Sequence, residues 1–325
     1  MSKPKLLCTH VLFETPHKFL EEHFDVEFWT GKDRPSRAEV LKLVAGKDAL
    51  VCLLTEKIDA ELLDAAGKGL KIVAQVAVGY DNIDVPACTE RKIAVTNTPG
   101  VLDETTADFT WTLVMAVARR LIEADHLARS GGWREWNLDF LCGTDVYGKM
   151  LGIIGLGRIG RAVARRAHGF GMRVIYHNTK RAPEEFEREA NAEYVTRDQV
   201  LEQSDFLSLH VPLNAATRGL MGLAEFAKMK RSAFFINTTR GPVVQEAALV
   251  EALEKGLIAG AGLDVFEREP IISDGLRRNN VVLAPHLGSA SVETRTRMAM
   301  IAAENAVAMF NGQRPPTILN PEVLK

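Results

Sequence analysis

The chain has 325 residues, of which 46% are hydrophobic and 25% charged, and its formal net charge at pH 7 is −2. This length suffices for two ordinary domains, and the near-zero charge argues against nucleic acid as the main partner. The four cysteines form no C-x-x-C pair, which argues against a zinc site or disulfide framework, and the N-terminal apolar run is too short for a signal peptide or membrane span, so we expect a cytoplasmic protein without a metal ion.

Short apolar runs alternate with amphipathic stretches through the first hundred residues. We predict buried strands within residues 5–13, 49–54, 70–78 and 92–98, with helical stretches such as AELLDAAGKGL between them. This alternation is typical of parallel sheets built from βα units. A longer helical pattern, from about Thr105 to Ser130, is expected to lead from one domain into the next.

A second series of apolar runs begins at Met150. Its predicted strands lie within residues 150–157, 172–178, 205–212, 233–241, 259–266 and 281–286. A last helical pattern, from Ser291 to Gly312, is rich in Ala and Met and predicts a buried helix. Two such series predict an α/β protein with two doubly wound parallel-sheet domains of the Rossmann or flavodoxin-like kind, with the active site in the cleft between them.

The turn after the first strand of the second series carries a nucleotide-binding pattern. Residues 155–160 read Gly-Leu-Gly-Arg-Ile-Gly between an apolar strand and a helical run. In this pattern the first glycine permits the tight turn, the second lets a pyrophosphate approach the backbone, and the third lets helix and strand pack closely. We therefore predict that Leu156, Gly157, Arg158 and Ile159 contact a dinucleotide.

The position about 20 residues further on predicts which dinucleotide is preferred. An Asp or Glu there usually accepts hydrogen bonds from a free ribose 2′-hydroxyl, but this chain reads Asn178-Thr179-Lys180-Arg181. A neutral amide, a hydroxyl and two cations fit a 2′-phosphate better, so we expect NADP(H) to be preferred, with NAD(H) possible. The alternative is that both cations simply face solvent.

Three polar residues follow later strands of the second series. They are Arg240 in INTTRG, Glu269 in DVFEREP and His286 in APHLGSA. Arg240 offers a planar fork of donors for a carboxylate, and His286 can move a proton near neutral pH. A carboxylate near His286 favours its charged form. Together these residues provide what hydride addition to a ketone needs, namely a substrate anchor, an acid and a group that keeps the acid charged.

Seven segments together resemble the D-isomer-specific 2-hydroxyacid dehydrogenases over nearly the whole chain. They read VAVGYDNID, NTPGVLDETTAD, GIIGLGRIG, HVPLNAATRGLM, FFINTTRGPVV, GAGLDVFEREP and PHLGSAS. The resemblance implies that Arg240, Glu269 and His286 are catalytic and that the backbone amides of Val78 and Gly79 bind the substrate carboxylate. It also implies further cofactor contacts, at Thr106, Val211, Pro212, Thr217, Thr238, Thr239, Asp264 and Gly288.

Within that family, GGWREW and GTDVYGKMLGIIGLGRIGRA are most similar to the glyoxylate/hydroxypyruvate reductases. This closer resemblance implies a homodimer in which Trp136 of one subunit reaches into the active site of the other. An ordinary dimer-interface or domain-core contact is the alternative for Trp136. The resemblance further implies a discontinuous substrate-binding domain, residues 1–99 and 289–325, with a dinucleotide-binding domain, residues 100–288, inserted into it.

The resulting hypothesis is NAD(P)H-dependent reduction of glyoxylate or hydroxypyruvate to glycolate or D-glycerate. His286 would give its proton to the carbonyl oxygen, and Glu269 would support the charged imidazole. Three alternatives stay open: a reductase for another 2-ketoacid such as 2-ketogluconate, a phosphoglycerate dehydrogenase, which Asn178 disfavours, and a nucleotide-sensing binding protein of the corepressor type. We expect no nucleic-acid or membrane partner.

Overall fold

Two parallel sheets form the framework of the protein in the computed structural model, which describes residues 2–325. The first compact unit contains the residues up to Leu102 together with Ser291–Lys325, and the second contains Asp103–Ala290. Each unit is built on one sheet, with helices between its strands. The two predicted series of βα units therefore correspond to two α/β sheets.

The first unit begins with five short strands. They are β1 (Lys5–Cys8), β2 (Asp25–Phe28), β3 (Ala49–Cys52), β4 (Ile72–Gln75) and β5 (Ala94–Thr96). The helices between them are α1 (Glu14–His23), α2 (Arg37–Val44), α3 (Ala60–Ala66) and α4 (Val85–Glu90). The strands pair in parallel in the order β2-β1-β3-β4-β5. The sequence analysis missed β2, an edge strand with no fully buried residue, because edge strands lack a continuous apolar run.

The helical pattern that starts the second unit is broken once. It forms α5 (Asp103–Ala118) and α6 (Leu121–Arg129) rather than one continuous helix. Arg120 lies between them with a φ of 51°, a left-handed conformation that ends a helix. Its guanidinium donates two hydrogen bonds of 2.9 Å to Glu123 in the first turn of α6. α5 packs against the sheet of the second unit, whereas α6 buries none of its residues in the described chain.

The second unit contains seven strands in the order β12-β11-β10-β9-β6-β7-β8. They are β6 (Met150–Ile154), β7 (Arg173–His177), β8 (Ala192–Tyr194), β9 (Phe206–Leu209), β10 (Phe234–Asn237), β11 (Gly260–Leu263) and β12 (Val281–Leu283). The helices are α7 (Arg158–Ala167), α8 (Glu184–Ala190), α9 (Arg197–Gln203), α10 (Leu223–Lys228) and α11 (Glu246–Glu254), with short 3₁₀ turns at His168–Phe170, Gly241–Val243 and Asp274–Leu276. All six predicted strands are confirmed; the three-residue edge strand β8 was missed.

The last helix, α12 (Val292–Phe310), belongs to the first unit, and a 3₁₀ turn at Pro321–Leu324 follows it. Ser291 caps its start, since its hydroxyl accepts a hydrogen bond from the amide of Thr294 at 3.1 Å. Ala302, Ala303 and Ala306 are fully buried against the first sheet, as the Ala-rich pattern predicts. Neither α12 nor any other helix within residues 2–325 has the length and apolar character needed to cross a bilayer.

Candidate active site

The glycine-rich turn lies between β6 and α7, and each of its glycines has a different steric role. Gly155 has a φ of +105°, and a Cβ atom there would lie 2.5 Å from the carbonyl oxygen of His210. A Cβ at Gly160 would lie 2.3 Å from the carbonyl oxygen of Gly155. A Cβ at Gly157 would meet no atom of the described chain within 4 Å. The outer two glycines are therefore required for packing, while Gly157 faces open space.

That open space adjoins the N-terminus of α7. Gly157 is the N-cap residue and provides no side-chain hydrogen bond to the first turn. The amides of the first turn and the positive end of the helix dipole are thus suited to an anion. A shallow backbone surface at a helix N-terminus fits the pyrophosphate of a dinucleotide, so Leu156, Gly157, Arg158 and Ile159 can hold such a cofactor.

Asn178, at the end of β7, is tied to this turn. Its Oδ1 accepts a hydrogen bond of 2.7 Å from the amide of Leu156. The side-chain oxygen is therefore directed at the turn, and the amide nitrogen of Asn178 is the atom left to donate to a ligand. A donor at this position suits a phosphate oxygen better than a carboxylate would.

Arg181 is held by another residue of the chain. Its Nε and Nη2 donate to the two oxygens of Glu187, in α8, at 2.8 and 2.9 Å. Glu187 also accepts a hydrogen bond of 2.5 Å from the hydroxyl of Tyr176. The bonds from Arg181 and then Tyr176 lower the pKa of Glu187, and burial, reinforced by Glu187, raises that of Tyr176 to about 12. Glu187 is thus a charged partner of Arg181, which the sequence analysis missed.

His286 and Glu269 form a hydrogen-bonded pair. His286 Nδ1 lies 2.9 Å from Glu269 Oε2, and Glu269 Oε1 accepts a bond of 3.0 Å from the amide of Phe266. Burial raises the pKa of the Glu269 carboxyl, but the hydrogen bond and charge of His286, with smaller effects of Phe266 and Arg240, hold it below its usual value. Glu269 is therefore a carboxylate that favours a charged imidazole.

Hydrogen bonds to Asp264 hold the backbone around His286. His286 has a φ of 58°, and its amide donates to the carbonyl oxygen of Asp264 at 2.9 Å. The carboxylate of Asp264 accepts bonds from the amides of Leu287 (2.6 Å) and Gly288 (2.8 Å). Burial nevertheless raises the pKa of Asp264 to about 6. Both oxygens of Asp264 are thus engaged by the turn that carries His286.

Arg240 follows β10, two strands away from β12 in the same sheet. Its backbone carbonyl accepts from Asn237 Nδ2 at 3.2 Å, and its Nη1 donates to the carbonyl oxygen of Thr239 at 2.9 Å. Asn237 is 1% exposed and also binds Thr239 through two hydrogen bonds. Arg240 is close enough to Glu269 for its charge to lower the pKa of that carboxyl.

The loop that carries Glu269 is held by a residue that no sequence signal identified. Glu246, 8% exposed at the start of α11, accepts hydrogen bonds from the amides of Glu267 (2.9 Å) and Ser273 (3.3 Å) and from the hydroxyl of Ser273. Its own amide donates to Glu267 at 3.1 Å. In the sequence, an acid at the start of a helix is indistinguishable from an ordinary capping residue. The hydrogen bonds of Glu246 to both ends of the Glu269 loop were therefore not predicted.

The other predicted cofactor contacts of the second unit lie along the same carboxyl edge of its sheet. A Cβ at Gly155 would lie 3.0 Å from Val211 Cγ1, and one at Gly288 would lie 3.4 Å from Thr106 Cγ2. Thr238 is hydrogen-bonded to Thr110 of α5 at 3.0 Å. Thr217 donates to the carbonyl oxygen of Pro212 at 2.6 Å. The structure thus groups them around strand ends that follow β6, β9, β10 and β12.

Three predicted substrate contacts lie elsewhere in the chain. Val78 and Gly79 belong to the first unit, in the loop that follows β4. Trp136 lies in the second unit between α6 and β6, in a stretch without helix or strand, and is 73% exposed. Trp133, Leu138 and Tyr147 of the same stretch are also largely exposed.

Comparisons by sequence and by structure both find glyoxylate reductases. A family model described as D-isomer specific 2-hydroxyacid dehydrogenase, NAD binding domain, matches residues 111–288. Glyoxylate reductases of Korarchaeum cryptofilum and Thermococcus kodakarensis are 53% and 50% identical, each over 99% of this chain and 98% of the relative. An NADPH-dependent glyoxylate/hydroxypyruvate reductase of Sinorhizobium meliloti, solved with NADP and malonate, has a TM-score of 0.87 at 35% identity over 98% of both chains.

Proposed function

Because the chain belongs to the D-isomer specific 2-hydroxyacid dehydrogenase family, we propose that it reduces glyoxylate or hydroxypyruvate to glycolate or D-glycerate with a nicotinamide dinucleotide. The observation that carries the proposal is the 2.9 Å contact between His286 Nδ1 and Glu269 Oε2 on the sheet edge that also bears Arg240 and the glycine-rich turn. Curated relatives named glyoxylate reductase, matched over nearly their full length, support the substrate class.

The residues divide the chemistry of ketone reduction between them. The dinucleotide, when bound at the glycine-rich turn, supplies hydride to the carbonyl carbon. Glu269 holds Nδ1 of His286, so the proton for the carbonyl oxygen is given by the opposite nitrogen, Nε2. The ionised Glu269 stabilises the imidazolium before transfer and fixes the plane of the ring.

The substrate is anchored by its carboxylate. Arg240 presents a planar set of donors that matches two carboxylate oxygens. Backbone amides of Val78 and Gly79 provide the remaining donors in this proposal. Anchoring by one end leaves the keto group of a small acid at a fixed distance from His286, which suits substrates as short as glyoxylate.

We propose that NADP(H) is preferred over NAD(H). Support comes from the neutral Asn178, whose oxygen is turned towards Leu156, and from Lys180, which has no ion-pair partner within residues 2–325. Arg181 contributes less than the sequence alone suggests, because Glu187 already binds its guanidinium on both nitrogens. The related Sinorhizobium meliloti structure contains NADP.

We further propose a homodimer formed through α6 and the stretch that follows it. Leu121 and Ile122 are 56% and 55% exposed, and Trp136 is 73% exposed. Large exposed apolar side chains are typical of protein interfaces when they form one patch, and the proposed homodimer requires that these residues do so. Trp136 would then lie near the substrate of the partner subunit. Within each chain, the first unit would be the substrate-binding domain and the second the dinucleotide-binding domain. Sedimentation or light scattering should give twice the chain mass, and Trp136→Ala should change substrate choice.

A screen of 2-ketoacids with NADPH and NADH in parallel tests the function. Glyoxylate and hydroxypyruvate should be among the best substrates, with higher kcat/KM for NADPH. Oxidation of neither nucleotide with any ketoacid, together with tight nucleotide binding, would instead identify a nucleotide-sensing protein. A clear preference for 2-ketogluconate or an aromatic ketoacid would retain the reaction type and overturn the substrate.

A further inference from the structure

The loop after β4 presents a run of backbone amides without partners. The amide of Val76 still donates to the carbonyl oxygen of Cys52 at 2.9 Å. The next four amides, of residues 77–80, donate to no acceptor in the part of the chain that the structure describes. Consecutive amides of this kind form an anion-binding surface when they point to one side. The direction of these amides depends on how the carbonyl groups of the same loop are held.

Three consecutive carbonyl groups of the same loop are each held by a donor of the first unit. The oxygen of Ala77 accepts from the amide of Thr98 at 2.9 Å. The oxygen of Val78 accepts from Asn97 Nδ2 at 2.8 Å, and that of Gly79 from Gln75 Nε2 at 2.7 Å. No carbonyl in this stretch can rotate without breaking one of these bonds.

The two side-chain donors are themselves immobilised. Gln75 is 0% exposed and exchanges two hydrogen bonds with the amide of Asn82, at 2.7 and 2.9 Å. Asn82 also donates to the carbonyl oxygens of Glu56 (2.8 Å) and Leu53 (3.3 Å). Asn97 is 6% exposed. A buried amide with several partners holds one orientation, so Gln75 acts as a fixed donor, while the low exposure of Asn97 limits the movement of its side chain.

Fixing a carbonyl also fixes the amide that follows it. In a trans peptide the carbonyl of one residue and the N–H of the next point in opposite directions, and the single cis bond among the described residues is at Glu269–Pro270. Holding the oxygens of Ala77, Val78 and Gly79 therefore directs the amides of the three following residues away from Thr98, Asn97 and Gln75, respectively.

We propose that Asn97 and Gln75 are positioning residues that set the orientation of two amides, those of Gly79 and Tyr80, for the carboxylate of the ketoacid, while the backbone amide of Thr98 sets that of Val78. Tyr80 thereby joins the two amides proposed above. The inference rests on the proposed function for the identity of the anion, and on the hydrogen bonds of the loop for everything else. Neither Asn97 nor Gln75 touches the substrate.

The test separates positioning from general stability. Asn97→Leu and Gln75→Leu remove one donor each and should raise the KM for glyoxylate about tenfold, while kcat changes less than about threefold and the Kd for NADPH is unchanged. Asn320→Leu is the matched control, because Asn320 is a 1% exposed amide of the same unit whose bonds go to Val95, Thr89 and Ile93. This control should leave the KM near that of the wild type.

A pH series adds a readout that lost stability would not move. In Asn97→Asp, the ionised side chain repels the Val78 oxygen, whereas the protonated side chain can donate to it. The KM of this variant relative to the wild type should fall as pH is lowered, while the ratio for Asn97→Leu stays constant. Rescue by acid supports positioning, and a constant ratio for both variants overturns it.

Titration with oxalate keeps this inference distinct from the proposed function. If the wild type reduces no ketoacid, the proposed function fails, yet weaker oxalate binding in Asn97→Leu and Gln75→Leu than in Asn320→Leu still supports the positioning role. Equal oxalate affinity in all four proteins, or a fall in kcat without a rise in KM, overturns it.

Discussion

Two of the places in the second unit where an arginine lies near a glutamate use the glutamate differently. At the end of β7, both oxygens of Glu187 bind the guanidinium of Arg181, at 2.8 and 2.9 Å. At the ends of β10–β12, the oxygens of Glu269 bind the amide of Phe266 and the ring of His286 instead. The charge of Arg240 lowers the pKa of Glu269.

The difference teaches that the partner of the carboxylate decides what a nearby arginine can do. Both oxygens of Glu187 accept hydrogen bonds from Arg181. The guanidinium of Arg181 is therefore less available to bind a phosphate. Glu269 is oriented by a backbone amide and directed at a histidine, which makes it a device for charging that histidine. The same residue types thus form an ion pair within the chain in one place and the proposed proton-transfer pair in the other.

Removing the histidine from the Glu269 pair should have the largest effect. His286→Ala deletes the proposed proton donor, and loss of such a group typically lowers kcat by about 10²–10⁴-fold, or roughly 3–5 kcal/mol. The Kd for NADPH should change little. His23→Ala, which removes a histidine bonded only to the carbonyl oxygen of Phe19 in α1, is the control. Turnover close to that of the wild type in His286→Ala would show that Glu269 serves something other than proton transfer.

Changing the arginine beside Glu269 comes next. Arg240→Lys keeps the charge but loses the planar fork, so kcat/KM for the ketoacid should fall about 10- to 100-fold, mostly through KM. Steady-state kinetics with each substrate varied in turn measures it. A rise in the KM for the dinucleotide alone would make Arg240 a nucleotide ligand, and the two arginines would then have similar roles.

Neutralising each glutamate separately sharpens the contrast. Glu269→Gln removes the charge that favours the imidazolium, so kcat/KM for reduction should fall about tenfold, and the activity should be lost at a lower pH than in the wild type. Glu187→Gln should leave this profile unchanged. Equal pH profiles for Glu269→Gln and the wild type would contradict the proton-transfer role.

Glu269 also has a predictable effect on stability in acid. Its pKa in the folded protein lies below the usual value, so its stabilising contribution is present above that usual value and is lost as pH falls through the folded-state pKa. Urea unfolding between about pH 6 and 3 should therefore show a steeper decline of the unfolding free energy in the wild type than in Glu269→Gln. Equal declines of the unfolding free energy in the two proteins would indicate that the neighbours of Glu269 do not lower its pKa in the folded state.

Much of the sheet framework follows from local sequence pattern. Buried parallel strands are continuous apolar runs, and the polar residues just after them must meet at one edge of the sheet, which is how Arg240, Glu269 and His286 were found. The glycine-rich turn was readable because the outer two positions admit no Cβ and the middle one faces open space. In both cases the physics is local or follows from strand direction alone.

What the sequence did not reveal depends on contacts between distant segments. The hold of Glu187 on Arg181 needs α8 to fold back over the end of β7, and the clamp of Glu246 on the Glu269 loop spans about twenty residues. The break at Arg120 depends on a left-handed conformation that an arginine seldom adopts. None of these leaves a composition or periodicity signal.

The smallest effect tests the Arg181 pair directly. Glu187→Gln should weaken the hold on Arg181 and remove a negative charge near the proposed 2′-phosphate position, which raises the ratio of kcat/KM for NADPH to that for NADH about two- to fivefold. Glu189→Gln is the matched control, because Glu189 lies in the same helix but pairs with Arg161 and Arg165. In the wild-type background, Lys180→Ala should lower the ratio more than Arg181→Ala, since Arg181 is already bound. If Glu187→Gln lowers the ratio instead, Glu187 must hold Arg181 in the orientation that receives the phosphate, and the two arginine–glutamate neighbours would then both be arranged for a ligand.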